Sequence, residues 1–179
     1  CNVLTRFGYS NMAYTLLLQP TYPSWLYPVK MGATTIWERW DGQKTDSTFQ
    51  SVGMNSFNHY SFGAVAGWMY TRSLGIQRDE NSPGFKHFIL QPTPDPSGKI
   101  TFAKGFVETM YGKIRSEWKK EGNKVTYHFE VPANTRAQVR ILAPAGAQIK
   151  EGDKVVKASV TQTGLQTEIG SGIYHWVVQ

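Results

Sequence analysis

The chain of 179 residues lacks several features that would place a protein in a particular class. It holds one cysteine, Cys1, so no disulfide can form within it. No Cys/His cluster has the spacing of a zinc site, and we expect neither a cofactor nor a bound metal. No apolar run approaches the roughly 20 residues that a membrane-spanning helix needs, so we expect no membrane span.

Charged residues are also scarce, at 18% of the chain, and the basic ones are not clustered. Residues 1–78 hold six Lys/Arg against three Asp/Glu, and residues 79–179 hold thirteen against ten, so each part carries half of the net charge of +6. Because a phosphate backbone is bound by a basic stripe, we predict no nucleic-acid partner. An apolar fraction of 40% predicts a globular protein with a real core.

The chain does not begin with methionine. We therefore expect it to be a portion of a longer polypeptide, and any signal region would lie in the part that precedes it. The sequence leaves the location unknown, and a secreted or periplasmic one is compatible with that expectation. The length accommodates one domain or two small ones.

The most informative stretch runs from Gly32 to Gly42, GATTIWERWDG, and sets Glu38 between Trp37 and Trp40. One hypothesis is a carboxylate in an aromatic-lined pocket. Flat indole faces stack on sugar rings while the carboxylate handles a proton, so this hypothesis predicts a carbohydrate site. The alternative is that the two tryptophans, three residues apart, form the buried face of a short helix and that Glu38 points to water.

Two segments of the chain resemble a known family. GATTIWERWDG, together with SFNHYSFGAVAGWMY at residues 56–70, is similar to the C-terminal part of bacterial α-L-rhamnosidases, glycoside hydrolase family 78. The segment YTLLLQPTYPSWLYPVKMGATTIWERW fits the same family without an internal gap. The resemblance covers about the first half of the chain, and a β-rich second half is consistent with the family's C-terminal domain.

The resemblance implies a function and a set of site residues. Family members are inverting glycosidases that release terminal α-L-rhamnose from glycosides or polysaccharides, so the implied partner is an α-L-rhamnoside substrate. Glu38 matches the family's general base and His59 its sugar-binding histidine. Trp37 and Trp40 would bind substrate by shaping the pocket wall. The family's general acid lies upstream in a motif that this chain lacks, so we expect the chain alone to be inactive.

The first part of the chain, residues 1–78, has the apolar spacing of helices. One helix is predicted at residues 10–19, with Met12, Leu16 and Leu17 on one apolar stripe, and the clearest helix is predicted at residues 56–75. The resemblance implies that these are the last helices of an incomplete (α/α)6 barrel.

The second part of the chain is predicted to be a β-sandwich. Residues 79–98 are rich in proline and glycine and form a linker with one strand, at residues 86–91. Over residues 99–179 short alternating segments predict antiparallel strands, including a hairpin within residues 113–131. The predicted fold class is therefore α+β, with a few barrel helices followed by an antiparallel β-sandwich.

Two other classes of function stay open beside the glycosidase. The chain is alternatively a non-catalytic carbohydrate-binding module, in which case Glu38→Gln leaves binding intact. It is alternatively a structural module whose sandwich only buttresses a barrel. That hypothesis predicts exposed apolar helix faces and self-association of the chain.

Overall fold

The computed structural model describes residues 1–178. Internal contacts divide the chain into two compact units, Cys1–Trp68 and a second that begins at Met69. The predicted division into residues 1–78, 79–98 and 99–179 stays a prediction of the domain limits. The predicted α+β class is confirmed, because helices occupy the first unit and two sheets the second.

The first unit contains short helices joined by irregular backbone. The α-helices are α1 (Asn2–Arg6), α2 (Ser10–Leu17), α3 (Leu26–Lys30) and α4 (Val65–Trp68), and 3₁₀ turns lie at Val52–Met54 and Ser61–Ala64. Helix α2 confirms the helix predicted at residues 10–19. The predicted apolar stripe is wrong in part, because Met12 and Leu16 are exposed while Tyr14 packs inward with Leu17.

Trp68 organises the interior of the first unit. Its side chain is fully buried, and the Tyr14 ring contacts it edge-on, with 5.0 Å between the centroids. Its indole N–H donates to the Thr5 hydroxyl at 2.8 Å. Because a buried indole N–H requires a partner, this bond ties α1 to the end of α4.

The helix predicted at residues 56–75 is shorter and less regular. A 3₁₀ turn at Ser61–Ala64 leads into α4, and a π-helical segment, Met69–Ser73, opens the second unit. Residues 56–60 are not helical, because their backbone pairs with another segment instead. Gly75, the predicted end of this helix, has a φ of +75°. A Cβ there would lie 2.1 Å from the Gln91 backbone, so only glycine fits.

The second unit is a sandwich of two sheets. One has the strand order β1-β2-β6-β10-β9 and the other β3-β4-β5-β11-β7-β8. All pairs are antiparallel except β2 and β6, which pair in parallel. The strands are β1 (Ile76–Arg78), β2 (His87–Leu90), β3 (Phe102–Thr109), β4 (Gly112–Glu121), β5 (Lys124–Val131), β6 (Arg136–Leu142), β7 (Ile149–Glu151), β8 (Lys154–Val155), β9 (Ser159–Thr161), β10 (Gly164–Ile169) and β11 (Gly172–Val178).

Alternating residues of both sheets form one hydrophobic core. Alternation along the β4–β5 hairpin predicts six inward residues: Ile114, Trp118, Val125, Tyr127, Phe129 and Val131. Five of them are buried, and Val125 is partly buried against the core. The facing sheet contributes buried side chains from β2, β6 and β10: Phe88, Leu90, Ala137, Val139, Ile141, Leu165 and Ile169.

The segment at residues 79–98 contributes to this sandwich. Strand β2 lies within the strand predicted at residues 86–91 and sits between β1 and β6 in the five-stranded sheet. Strands β1, β8 and β9 have no counterpart in the prediction. Each is two or three residues long, which is too short to show an alternating pattern.

Candidate functional site

The candidate site of the first unit is built on two extended segments that pair through their backbones. The Glu38 N–H donates to the Ser56 carbonyl at 2.8 Å, and the His59 N–H donates to the Ile36 carbonyl at 2.8 Å. The Thr35 hydroxyl adds a bond of 2.5 Å to the Phe57 carbonyl. Each segment donates one backbone bond to the other and accepts one from it, as neighbouring antiparallel strands do. The pairing brings Glu38 and His59, which are 21 positions apart, onto adjacent segments.

The Glu38 carboxylate is oriented by the same pairing. Its Oε2 accepts the Ser56 N–H at 2.8 Å, so Glu38 and Ser56 exchange two hydrogen bonds. Its Oε1 has no hydrogen-bond partner within residues 1–178, and the side chain is half-buried. A carboxylate held at one oxygen and open at the other can accept a proton from a bound water.

His59 lies on the segment that pairs with the one carrying Glu38. The Ser61 N–H donates to its Nδ1 at 3.4 Å, which favours the neutral tautomer with the proton on Nε2. Its ring stacks on that of Tyr60, with 5.5 Å between the centroids and 8° between the planes. The predicted placement of His59 in the first turn of a helix is wrong, because the helical turn begins at Ser61. The Nε2–H is thus available to a sugar hydroxyl.

Trp37 lies beneath the paired segments. It is buried, and its ring meets that of Phe57 at 90° with 5.2 Å between the centroids. Gly42 passes close to it: a Cβ there would lie 3.3 Å from the indole and 2.9 Å from Asn55 Oδ1. The hypothesis that Trp37 and Trp40 share a helix face is wrong, because no helix includes residues 37–40. Trp37 instead supports the turn that carries Glu38.

Trp40 contacts other aromatic rings. It stacks on Phe62 with 3.6 Å between the centroids and 14° between the planes, and Trp25 contacts it edge-on at 5.2 Å. The Trp25 N–H donates to the Phe62 carbonyl at 2.8 Å. These rings border a cavity of about 40 Å³, which is too small for a sugar. Trp37 and Trp40 therefore pack against other aromatic rings of the unit. Their predicted contact with substrate stays a prediction.

The polar loop after Glu38 is held by its own hydrogen bonds. The Asp41 carboxylate accepts the Gln50 amide at 2.6 Å, and the Tyr27 hydroxyl donates to the Gln43 carbonyl at 2.9 Å. Burial raises the pKa of Tyr27, and the nearby Asp41 charge raises it further. Hydrogen bonds from Thr48 lower the pKa of Asp46. Hydrogen bonds therefore hold the loop that follows Glu38, and one of them joins Asp41 to Gln50.

Some contributions to this site have no signal in the sequence. The N–H of Ser56 orients Glu38, but a backbone contact across 18 positions leaves no local pattern. Tyr60, 86% exposed next to His59, follows it directly in the motif SFNHY and was not among the predicted site residues.

Across residues 1–178 no group of three His, Cys, Asp or Glu side chains is arranged to hold a metal ion. In the same range no helix is long and apolar enough to cross a membrane.

The first unit thus sets an oriented carboxylate and an imidazole on two paired segments, and a β-sandwich follows it in the chain. The model of the bacterial alpha-L-rhamnosidase 6 hairpin glycosidase domain matches residues 1–72. The model of the bacterial alpha-L-rhamnosidase C-terminal domain matches residues 75–156. The chain therefore belongs to the bacterial α-L-rhamnosidase family, which confirms the resemblance seen in the sequence.

Individual relatives agree with this assignment. An α-L-rhamnosidase of Streptomyces avermitilis is 37% identical over an alignment of 179 positions, which covers 98% of this chain and 17% of the relative. One from Formosa agariphila is 39% identical over 139 residues, 78% of this chain and 15% of the relative. The chain thus spans about a sixth of the length of these curated relatives.

Solved structures show the same relation. The chain is similar to a Streptomyces avermitilis α-L-rhamnosidase complexed with L-rhamnose, with a TM-score of 0.85 and 36% identity over 99% of this chain and 17% of that one. It is also similar to an α-L-rhamnosidase from Dictyoglumus thermophilum, with a TM-score of 0.87 and 32% identity over 99% of this chain and 20% of that one.

Proposed function

We propose that the protein, in its complete form, is an inverting glycoside hydrolase that releases terminal α-L-rhamnose from glycosides or polysaccharides. Glu38 is its general base, and His59, Trp37 and Trp40 belong to its substrate site. Support comes from relatives named α-L-rhamnosidase and from a similar structure complexed with L-rhamnose. The observation that carries the proposal is the reciprocal pair of hydrogen bonds between Glu38 and Ser56, which leaves one carboxylate oxygen open.

In this mechanism Glu38 acts on water rather than on the sugar. Its open Oε1 takes a proton from a water molecule while that water attacks the anomeric carbon from the face opposite the leaving group. The Ser56 N–H keeps the carboxylate from rotating away, so the water is held in one orientation. His59 donates from Nε2 to a sugar hydroxyl, and the packed Trp37 keeps the turn around Glu38 rigid.

The second carboxyl group of the mechanism is proposed to lie outside these 179 residues. An inverting pair is separated by roughly 6.5–9.5 Å, which leaves room for the attacking water. We do not propose Asp41 as the acid, because it lies three positions from Glu38 in the same motif, and its Oδ2 accepts the Gln50 amide. The chain by itself is therefore proposed to be inactive.

The configuration of the product tests this function. The complete protein is incubated with an aryl α-L-rhamnoside, and the first sugar released is observed by proton NMR before mutarotation. Inversion predicts β-L-rhamnose as the first product. Release of α-L-rhamnose would overturn the general-base role, and the absence of hydrolysis would favour a binding or structural module. The 179-residue chain, assayed in parallel, is expected to release no sugar.

A further inference from the structure

The outer face of the six-stranded sheet carries a row of polar residues in register. His175 on β11 pairs with His128 on β5, His128 pairs with Glu117 on β4, and Glu117 pairs with Lys104 on β3. These residues alternate with the buried Tyr127, Phe129 and Trp176 and therefore point away from the core. This row, here termed the histidine row, crosses an open groove of about 410 Å³.

The two imidazoles of the histidine row face each other. Their Nδ1 atoms are 3.0 Å apart, and their ring centroids are 4.4 Å apart. One Nδ1 must accept where the other donates, so at least one ring is neutral. A neutral imidazole is the form that binds a metal ion.

We propose that His128 and His175 chelate a divalent transition-metal ion through their Nδ1 atoms. At metal–nitrogen distances of about 2.0–2.1 Å, two nitrogens 3.0 Å apart subtend about 91–97° at the metal. That angle fits the adjacent positions of tetragonal Cu²⁺ or Ni²⁺ better than the wider tetrahedral angle of Zn²⁺. Binding would replace the proton shared between the two Nδ1 atoms by the ion.

The surroundings of the pair are compatible with a cation. Glu117 pairs with His128 in the row, and Glu151 Oε1 accepts the backbone N–H of His175 at 3.3 Å. The cation Arg115 is already held by Glu117 at 3.1 Å and by Glu130 at 3.3 Å. Because the described part of the chain offers no third ligand in place, water from the open groove completes the coordination.

The test is a titration of the full chain with Cu²⁺ alone. It is made in a Cys1→Ser background, because a thiol also binds copper. Calorimetry is expected to give one ion per chain. Backbone amide NMR is expected to show paramagnetic broadening centred on residues 126–130 and 173–177. His128→Ala and His175→Ala are each expected to weaken binding at least about tenfold, since losing even an outer partner of a metal ligand costs that much.

Matched controls separate this site from non-specific binding. His59→Ala removes an imidazole of the first unit and is expected to leave the affinity unchanged. The amide spectrum of each variant verifies that it is folded. Broadening centred elsewhere, or affinity retained in His128→Ala and His175→Ala, would overturn the proposal, as would the absence of binding by the parent chain.

Discussion

The two units of the chain bury their apolar side chains in different ways. In the second unit, alternating strand residues from both sheets meet in one core, so nearly every large inward side chain is covered. In the first unit, a few aromatic side chains are buried at separate places along the chain. Other apolar side chains remain exposed, namely Phe7 at 68%, Met12 at 51% and Leu16 at 42%. The comparison teaches that the sheets complete their own core, whereas the helical unit leaves apolar faces uncovered.

The largest effect on stability is expected in the second unit. Trp118 is buried between the sheets, and its indole N–H donates to the Ser73 carbonyl at 2.8 Å. Trp118→Ala is expected to lower the free energy of unfolding by about 3–5 kcal/mol, through lost burial and an unpaired carbonyl. Tyr60→Ala, at an exposed ring of the first unit, is expected to change it by less than about 0.5 kcal/mol. Urea unfolding followed by circular dichroism measures both, and equal losses would contradict the comparison.

An effect of intermediate size is expected on self-association. We propose that the chain associates with itself through the exposed face of α2, because Met12 and Leu16 are about half exposed and burying the rest of each contributes roughly 1 kcal/mol. Light scattering is expected to give a mass above 20.2 kDa for the chain and a lower mass after Met12→Gln combined with Leu16→Gln. Val160→Gln, at an 80% exposed position of the second unit, serves as the control. A monomeric parent chain would show that the uncovered face does not drive association.

The smallest effect is expected from His87, which bridges two parts of the second unit. Its Nδ1 lies 2.6 Å from Asp79 and its Nε2 lies 3.0 Å from Glu168. Burial acts to lower the pKa of His87, but hydrogen bonds to the two carboxylates outweigh it, so the pKa is raised above 6.5. Its stabilisation is therefore complete below about pH 6.5 and is lost as the pH rises through the raised value.

His87→Gln measures this contribution. The difference in unfolding free energy between the parent chain and the variant is expected to be largest near pH 6 and to shrink towards pH 9. Val160→Gln, at an 80% exposed position of the second unit, leaves the imidazole and both carboxylates in place and is the control. A difference that grows with pH would show that His87 is neutral in the folded chain.

Much of the second unit was predictable from the sequence, because alternation along a strand directly reports which face is buried. The hairpin of β4 and β5 lies close to its predicted limits of 113–131, and β6 is one of the alternating segments predicted over residues 99–179. The parallel pairing of β2 with β6 was not predictable. It joins residues about 50 positions apart, and the apolar pattern of a strand does not specify its neighbour.

The first unit was less predictable, because long-range backbone pairing overrides local helix signals. Residues 56–60 carry capping residues typical of a helix start, yet they pair with residues 35–38. The candidate residues Glu38 and His59 were identified by residue type and family resemblance. The reciprocal bonds between Glu38 and Ser56 were not, since nothing local to either residue indicates the other.

The role of Glu38 is the central claim of this account, and one comparison of rates tests it most directly. Hydrolysis of an aryl α-L-rhamnoside is measured for the complete protein, for Glu38→Gln and for Glu80→Gln, which removes an exposed carboxylate of the second unit. We predict that Glu38→Gln loses on the order of 10²–10⁴-fold in turnover, the range that a general base contributes, while Glu80→Gln stays at the parent rate. Unchanged turnover of Glu38→Gln would contradict the account and make the paired segments purely structural.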